Sequence, residues 1–294
     1  MGNMWNRAGP IRTAIHCPFC QTASAMPRFA ANLTLMFNEV DFLARFEAAA
    51  RAGFSAVEYH FPYAYPAAEL AERLRVHGLR QVLHNLPAGD WPGGERGIAI
   101  LPDRIDEFRA GVAQAIDYAK ALGCQRLNCL AGIAPPDMAP DQLRGVFVAN
   151  LRFAAQAMKE AGIRLLIEPI NTLDIPGFFL NGTEQAAEIL RDVGSENLFI
   201  QYDIYHMQIM EGDLTRTIQR HLPRIAHLQL ADNPGRHEPG SGEINYPFLF
   251  RHLDAIGYRG WIGCEYIPAH GTPEGLGWYR PYRAADDKRE RDGE

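Results

Sequence analysis

The sequence predicts an α/β protein of the (β/α)8 TIM-barrel class, folded as a single domain. Three observations lead there. Strand-like and helix-like segments alternate eight times along the chain, and strict alternation calls for a parallel sheet covered by helices. Glycines recur where helical patterns stop before the next strand, at Gly53, Gly78, Gly123, Gly162, Gly194 and Gly257, because glycine enters the left-handed region past a helix end at no steric cost. Four oxygen-bearing residues, Glu168, Asp203, Gln229 and Glu265, each follow a short apolar run (LLIE, FIQYD, IAHLQ, WIGCE), at separations of 35, 26 and 36 residues. Each separation is about one strand-helix repeat, so equivalent strand ends carry the four groups.

The strand candidates, chosen by β-branched and aromatic content and bounded by turn residues, are Phe29–Met36, Ala56–Pro62, Gln81–Pro87, Arg126–Gly132, Arg164–Ile170, Leu198–His206, Ile225–Asp232 and Gly260–Pro268. Apolar residues at helical spacing predict helices over Glu39–Ala52, Asp103–Leu122, Pro140–Ala161 and Thr183–Val193, with Thr183 as an N-cap. Eight units favour a closed barrel over an open doubly wound sheet. No GxGxxG opens the first helix, so no nucleotide cofactor is expected. The long, glycine-rich stretch Ala88–Ile98 follows the third strand and reads equally as a lid or as an ordinary surface loop.

The barrel domain is expected over residues 27–282. Residues 1–26, which include a Cys17–Cys20 CxxC without a second ligand pair, read as an unstructured leader, and 283–294 as a charged, flexible tail. Five cysteines at irregular spacing in a chain of 294 residues do not make a disulfide framework, so a reducing, cytoplasmic setting is expected. No apolar run approaches the length of a membrane span. The formal net charge of −6 and the lack of a basic stripe argue against nucleic acid as the partner. A small anionic substrate stays open, because a local field outweighs net charge in a cleft, and so does homo-oligomerisation.

Active sites of parallel barrels lie at the C-terminal ends of the strands, so Glu168, Asp203, Gln229 and Glu265 should converge there. None of their strands carries a lysine. Buried acids without cationic partners are costly, and a bound cation resolves that cost. Three carboxylates and an amide form an all-oxygen set suited to Mg2+ or Mn2+. A substrate that chelates through a carbonyl and an adjacent hydroxyl would then be polarised, and Glu168 and Glu265 could remove and return a proton. His84 and Asn85 end the third strand. Glu58 and His60 alternate along the second and so share a face. His206 follows Asp203 by three residues. Asp174, Arg236 and His237 lie in loops at the same end, with Arg236 the best-placed cation for an anionic substrate.

The stretches LHNLPAGDW, ERGIA, LIEPIN, DIPGFFL, IQYDIYHMQ, HLQLADNPGRHEPGSGEINY and GWIGCEY, over about residues 27–282, resemble the hydroxypyruvate isomerase family of the xylose-isomerase-like barrel superfamily. The resemblance implies Glu168 and Glu265 as paired catalytic and metal-site acids, Asp203 and Gln229 as completing the metal set, and His206 and Arg236 as substrate contacts. It also implies interconversion of hydroxypyruvate and tartronate semialdehyde through an enediolate. Sister readings are a 2-oxotetronate isomerase and a ketose 3-epimerase. More remote ones are an abasic-site endonuclease and a non-catalytic sugar-acid binding protein.

Overall fold

A computed structural model describes residues 27–283. Eight parallel strands pair in sequence order and close on themselves: β1 (Arg28–Asn32), β2 (Ala56–Glu58), β3 (Arg80–Asn85), β4 (Arg126–Cys129), β5 (Arg164–Ile167), β6 (Leu198–Asp203), β7 (Ile225–Leu230) and β8 (Trp261–Cys264), with β8 returning to β1. The barrel is covered by α1 (Phe42–Ala52), α2 (Ala67–Val76), α3 (Ile105–Leu122), α4 (Pro140–Glu160), α5 (Thr183–Val193), α6 (Ile204–Met210), α7 (Leu214–His221), α8 (Tyr246–Ala255) and α9 (Thr272–Gly275). The (β/α)8 class is therefore as the sequence predicts. All six glycines singled out there have positive φ, and Gly53, Gly123 and Gly194 are themselves the helix caps. The leader with its CxxC and the tail from residue 284 lie outside the described residues. Cys124, Cys129 and Cys264 are buried, and no helix among the described residues is long and apolar enough to cross a membrane.

The strands are shorter than their apolar runs. Every predicted strand overshoots its C-terminal end, because Leu33, Leu86, Leu130, Ile170, Ala231 and Tyr266 stay buried after the chain has left the ladder and turned over the barrel mouth. Apolar content alone does not mark where pairing stops. At β6 the run continues straight into α6, capped by Asp203, whose Oδ1 accepts the Tyr205 (2.8 Å) and His206 (3.4 Å) amides. The expected cap at Thr183 is a correction. Gly182 is the N-cap, and the Thr183 hydroxyl instead donates to Met207 Sδ at 3.3 Å. The helix predicted from Glu39 begins at Phe42, because the Glu39 carboxylate ties down Thr272, the first residue of α9.

Inside the barrel the residues alternate with those facing the helices, as strand geometry requires. The floor is apolar: Ala30, Ala56, Val82 and Trp261 form one cluster, and Leu83, Leu166 and Ala226 another. Above it lies a polar layer centred on Glu58, which is fully buried. Its carboxylate accepts Asn32 Nδ2 (3.0 Å), His227 Nε2 (2.6 Å) and Gln229 Nε2 (2.8 Å). Gly263 on β8 makes the room: a Cβ there would lie 2.2 Å from Glu58 Oε1. Gly263→Ala is expected to destabilise the protein by roughly 1–3 kcal/mol through overpacking, read as a lower urea midpoint at unchanged slope.

The Ala88–Ile98 loop is fastened. Gly97 and Gly132 meet backbone to backbone; a Cβ on Gly97 would lie 2.5 Å from Leu130 O, and one on Gly132 would lie 2.5 Å from Gly97 O. Arg104 binds Glu95 in the loop at 2.8 Å. The loop brings Trp91 against His60 and Phe61, with ring centroids 6.1 and 5.0 Å apart.

Candidate active site

Three of the four predicted strand-end groups form one buried cluster at the C-terminal mouth. Glu168 lies one residue past β5, Asp203 is the last residue of β6, and Glu265 lies one residue past β8. One ligand atom from each, together with one from His206, lies within 4.8 Å of every other. Each acid is held differently. Glu168 Oε2 accepts Asn128 Nδ2 at 2.8 Å, and that amide also reaches Asn85 Oδ1 at 3.2 Å. Asp203 commits Oδ1 to the cap of α6, while Oδ2 is buried with no hydrogen-bond partner. Glu265 is gripped on both oxygens, by His60 Nε2 at 2.6 Å and by Arg236 Nη2 at 2.7 Å.

These environments drive the acids apart. Burial, then the charges of Glu265 and Asp203, push Glu168 well above the usual carboxylate range. Burial and the Glu265 charge raise Asp203 in the same way. Burial also opposes the charged form of Glu265, but Arg236 and His60 outweigh it and hold this carboxyl low. Without a further cation, the surroundings favour the ionised form at Glu265 and the neutral form at Glu168, the pattern of an acid-base pair. Arg236 is the guanidinium serving all three acids: burial disfavours its charge, yet Glu265, Asp203 and Glu168 together raise its pKa.

The loop after β7 presents Arg236. Asp232 is buried and accepts the amides of Asn233 (3.0 Å), Gly240 (2.8 Å) and Ile244 (3.0 Å). Arg236 takes a left-handed backbone (φ 57°), and its carbonyl accepts the Ile267 amide at 2.8 Å, which pins the loop to the chain leaving β8. His237 points to the same segment, with Nδ1 2.7 Å from Ile267 O.

Three predicted site residues need revision. His84 is adjacent to inward-facing Asn85 and therefore faces outward. It lies against Gln81 (3.0 Å), Tyr63 and the backbone of Ala115 on α3, and burial pushes its pKa down to about 3. Glu58 shares the inner face with His60 as expected, but it sits in the layer beneath the mouth, enclosed by its three donors. Asp174 is exposed, with Oδ2 accepting both Asn171 Nδ2 and the Tyr205 hydroxyl at 3.0 Å, so it braces the rim. Gln229 is in register with Asp203 on the next strand, and its Oε1 accepts Gln201 Nε2 at 2.5 Å. Sequence reasoning missed Asn128, Asn171 and Gln201. Counting two back from Asp203 would have put Gln201 on the inner face; Asn128, on a strand with no predicted site residue to count from, and Asn171, in a loop, carried no such signal.

The family model described as "Xylose isomerase-like TIM barrel" matches residues 46–282. The chain belongs to the xylose isomerase-like TIM barrel family. Within it, the chain is 55% identical to the hydroxypyruvate isomerase of Escherichia coli (strain K12) over 88% of this chain and 100% of that protein. It is 51% identical to the 2-oxo-tetronate isomerase of Cupriavidus necator, over 87% and 99% respectively. A crystal structure of a Brucella melitensis protein described as an AP endonuclease, family 2, is 48% identical and superposes with a TM-score of 0.86, covering 88% of this chain and all of that one. This xylose isomerase-like barrel is an isomerase.

Proposed function

We propose that the protein is a divalent-metal-dependent isomerase of a small 2-oxo acid, interconverting hydroxypyruvate and tartronate semialdehyde. The observation that carries this reading is the surplus of buried carboxyl groups over cations at the mouth: three acids within 4.8 Å, with Arg236 as their guanidinium partner and Asp203 Oδ2 without a hydrogen bond. The donor set fits a hard cation. Glu168, Asp203 and Glu265 would hold it, with Gln229 as the fourth oxygen. Glu58 supports that last role by engaging Gln229 Nε2, which turns Oε1 away from the buried carboxylate. When bound, such an ion supplies Lewis-acid polarisation of the substrate carbonyl and balances the clustered charge.

The remaining chemistry belongs to the side chains. Arg236 takes the substrate carboxylate, exchanging one carboxylate partner for another. One of Glu168 and Glu265 removes a proton from C3, leaving an enediolate; the hydroxyl proton passes from O3 to O2, and the other acid delivers a proton to C2 as the C3 carbonyl forms. Asn128 and His60 fix the two acids so that each keeps a short path to its carbon. Arg236→Met is expected to raise KM by about 10- to 100-fold, the loss of a charge-assisted hydrogen bond, with a smaller change in kcat in steady-state assays.

Turnover in D2O tests the reading. Deuterium should enter at C2 of tartronate semialdehyde; product free of solvent label would replace proton transfer by a hydride shift. The four-carbon reading, 2-oxotetronate, stands beside the first because the two relatives differ so little in identity. Parallel kcat/KM measurements on both acids separate them. The endonuclease reading is not favoured: zinc-cluster chemistry calls for several histidines, and this cluster contains one.

A further inference from the structure

His206 lies on the first turn of α6, buried, with Nε2 3.6 Å from Asp203 Oδ2 and Nδ1 2.7 Å from Asn171 Nδ2. A neutral imidazole can turn either a lone pair or an N–H towards the acids, and the hydrogen bond at its other nitrogen decides which. Here Asn171 makes that decision, and its own orientation is determined twice over. Its Oδ1 accepts the backbone amides of Leu173 (3.0 Å) and Asp174 (2.7 Å), which can only donate. Its Nδ2 faces the Asp174 carboxylate at 3.0 Å, which when ionised can only accept. Turning the amide over would set NH2 against two N–H groups and oxygen against a carboxylate. The group facing His206 Nδ1 is therefore a donor, Nδ1 must carry the lone pair, and the ring proton sits on Nε2.

We propose that Asn171 is a positioning residue: its amide locks His206 in the Nε2-protonated form, so the imidazole presents a hydrogen-bond donor, not a lone pair, to the carboxylate cluster. His206 is then excluded from the ligands of any cation held there, although its distance from the three acids would admit it. It is left to donate to an anionic oxygen. This consequence rests on the metal-site reading above; the tautomer itself does not.

The test is the long-range 1H–15N spectrum of the full, metal-free chain labelled at histidine, with the His206 signals assigned as those lost in His206→Gln. The expected pattern is Nε2 protonated and Nδ1 unprotonated. An Nδ1-protonated ring in the unmodified protein overturns the proposal without recourse to any further variant. The double variant Asn171→Asp, Asp174→Asn keeps the net charge and the Oδ1 turn while replacing the donor that faces Nδ1 by an acceptor. Protonation should then appear at Nδ1, and a folded double variant with an unchanged His206 pattern also overturns the proposal. If chelation leaves turnover intact, the metal reading fails while the spectrum still decides the tautomer.

Discussion

Glu168→Gln is expected to lower kcat by about 1,000-fold, within the range for loss of a positioned acid-base group, while the metal-free protein keeps its stability or gains some. The substitution conserves shape and leaves an oxygen for Asn128, but the amide cannot accept a proton from carbon. Stability should hold because burial and two neighbouring acids push the Glu168 carboxyl towards its neutral form in the metal-free site. A neutral amide therefore removes no charge that the fold depends on. Glu265→Gln should abolish turnover to a similar degree but behave oppositely on unfolding. Glu265 is ionised between Arg236 and His60, and breaking such a buried pair costs about 3 kcal/mol. Paired kcat and urea-denaturation measurements check both halves. A Glu168→Gln protein within tenfold of the parent rate would remove Glu168 from the chemistry.

Dialysis against a chelator is expected to reduce turnover to less than about 1% of its starting value, and Mn2+ or Mg2+ to restore it. The physical ground is that metal binding must deprotonate its ligands. The folded-state values of Glu168 and Asp203 lie above those of free carboxylates. Protons compete with the cation until the pH exceeds those raised values, so ion affinity should climb with pH and fall on acidification, with proton release on binding. Calorimetry of Mn2+ binding in buffers of different ionisation enthalpy reads both quantities. Undiminished turnover after chelation, with metal content verified, would dismiss the cation from the mechanism.

How much of this was legible in the sequence differs between fold and site. Periodicity, glycine caps and regular spacing were enough for the barrel, because they report local physics that tertiary packing did not override. Strand ends were not legible, since Leu86 or Tyr266 is as buried in a loop as in a ladder. In the site, Glu168, Asp203 and Glu265 could be found because each closes an apolar run at a repeated interval. His84 shows that position along a strand is not enough without parity: one residue earlier than Asn85 means the opposite face. Glu58 shows the complementary limit. Parity placed it inward, but depth within the barrel, which separates a buried scaffold acid from one at the mouth, is a property of how eight strands are staggered against each other.

The empty Cβ position of Gly263 has a consequence for anyone redesigning this enzyme. Positions 58 and 263, two strands apart around the ring, behave as a single compartment holding one side chain, and in this chain the second strand fills it. A library that varies either alone will sample only crowded or hollow interiors. Variants that move the acid across, with glycine on one strand and a carboxylate on the other, are the ones that can survive, and they would tether the amide of Gln229 from the opposite wall.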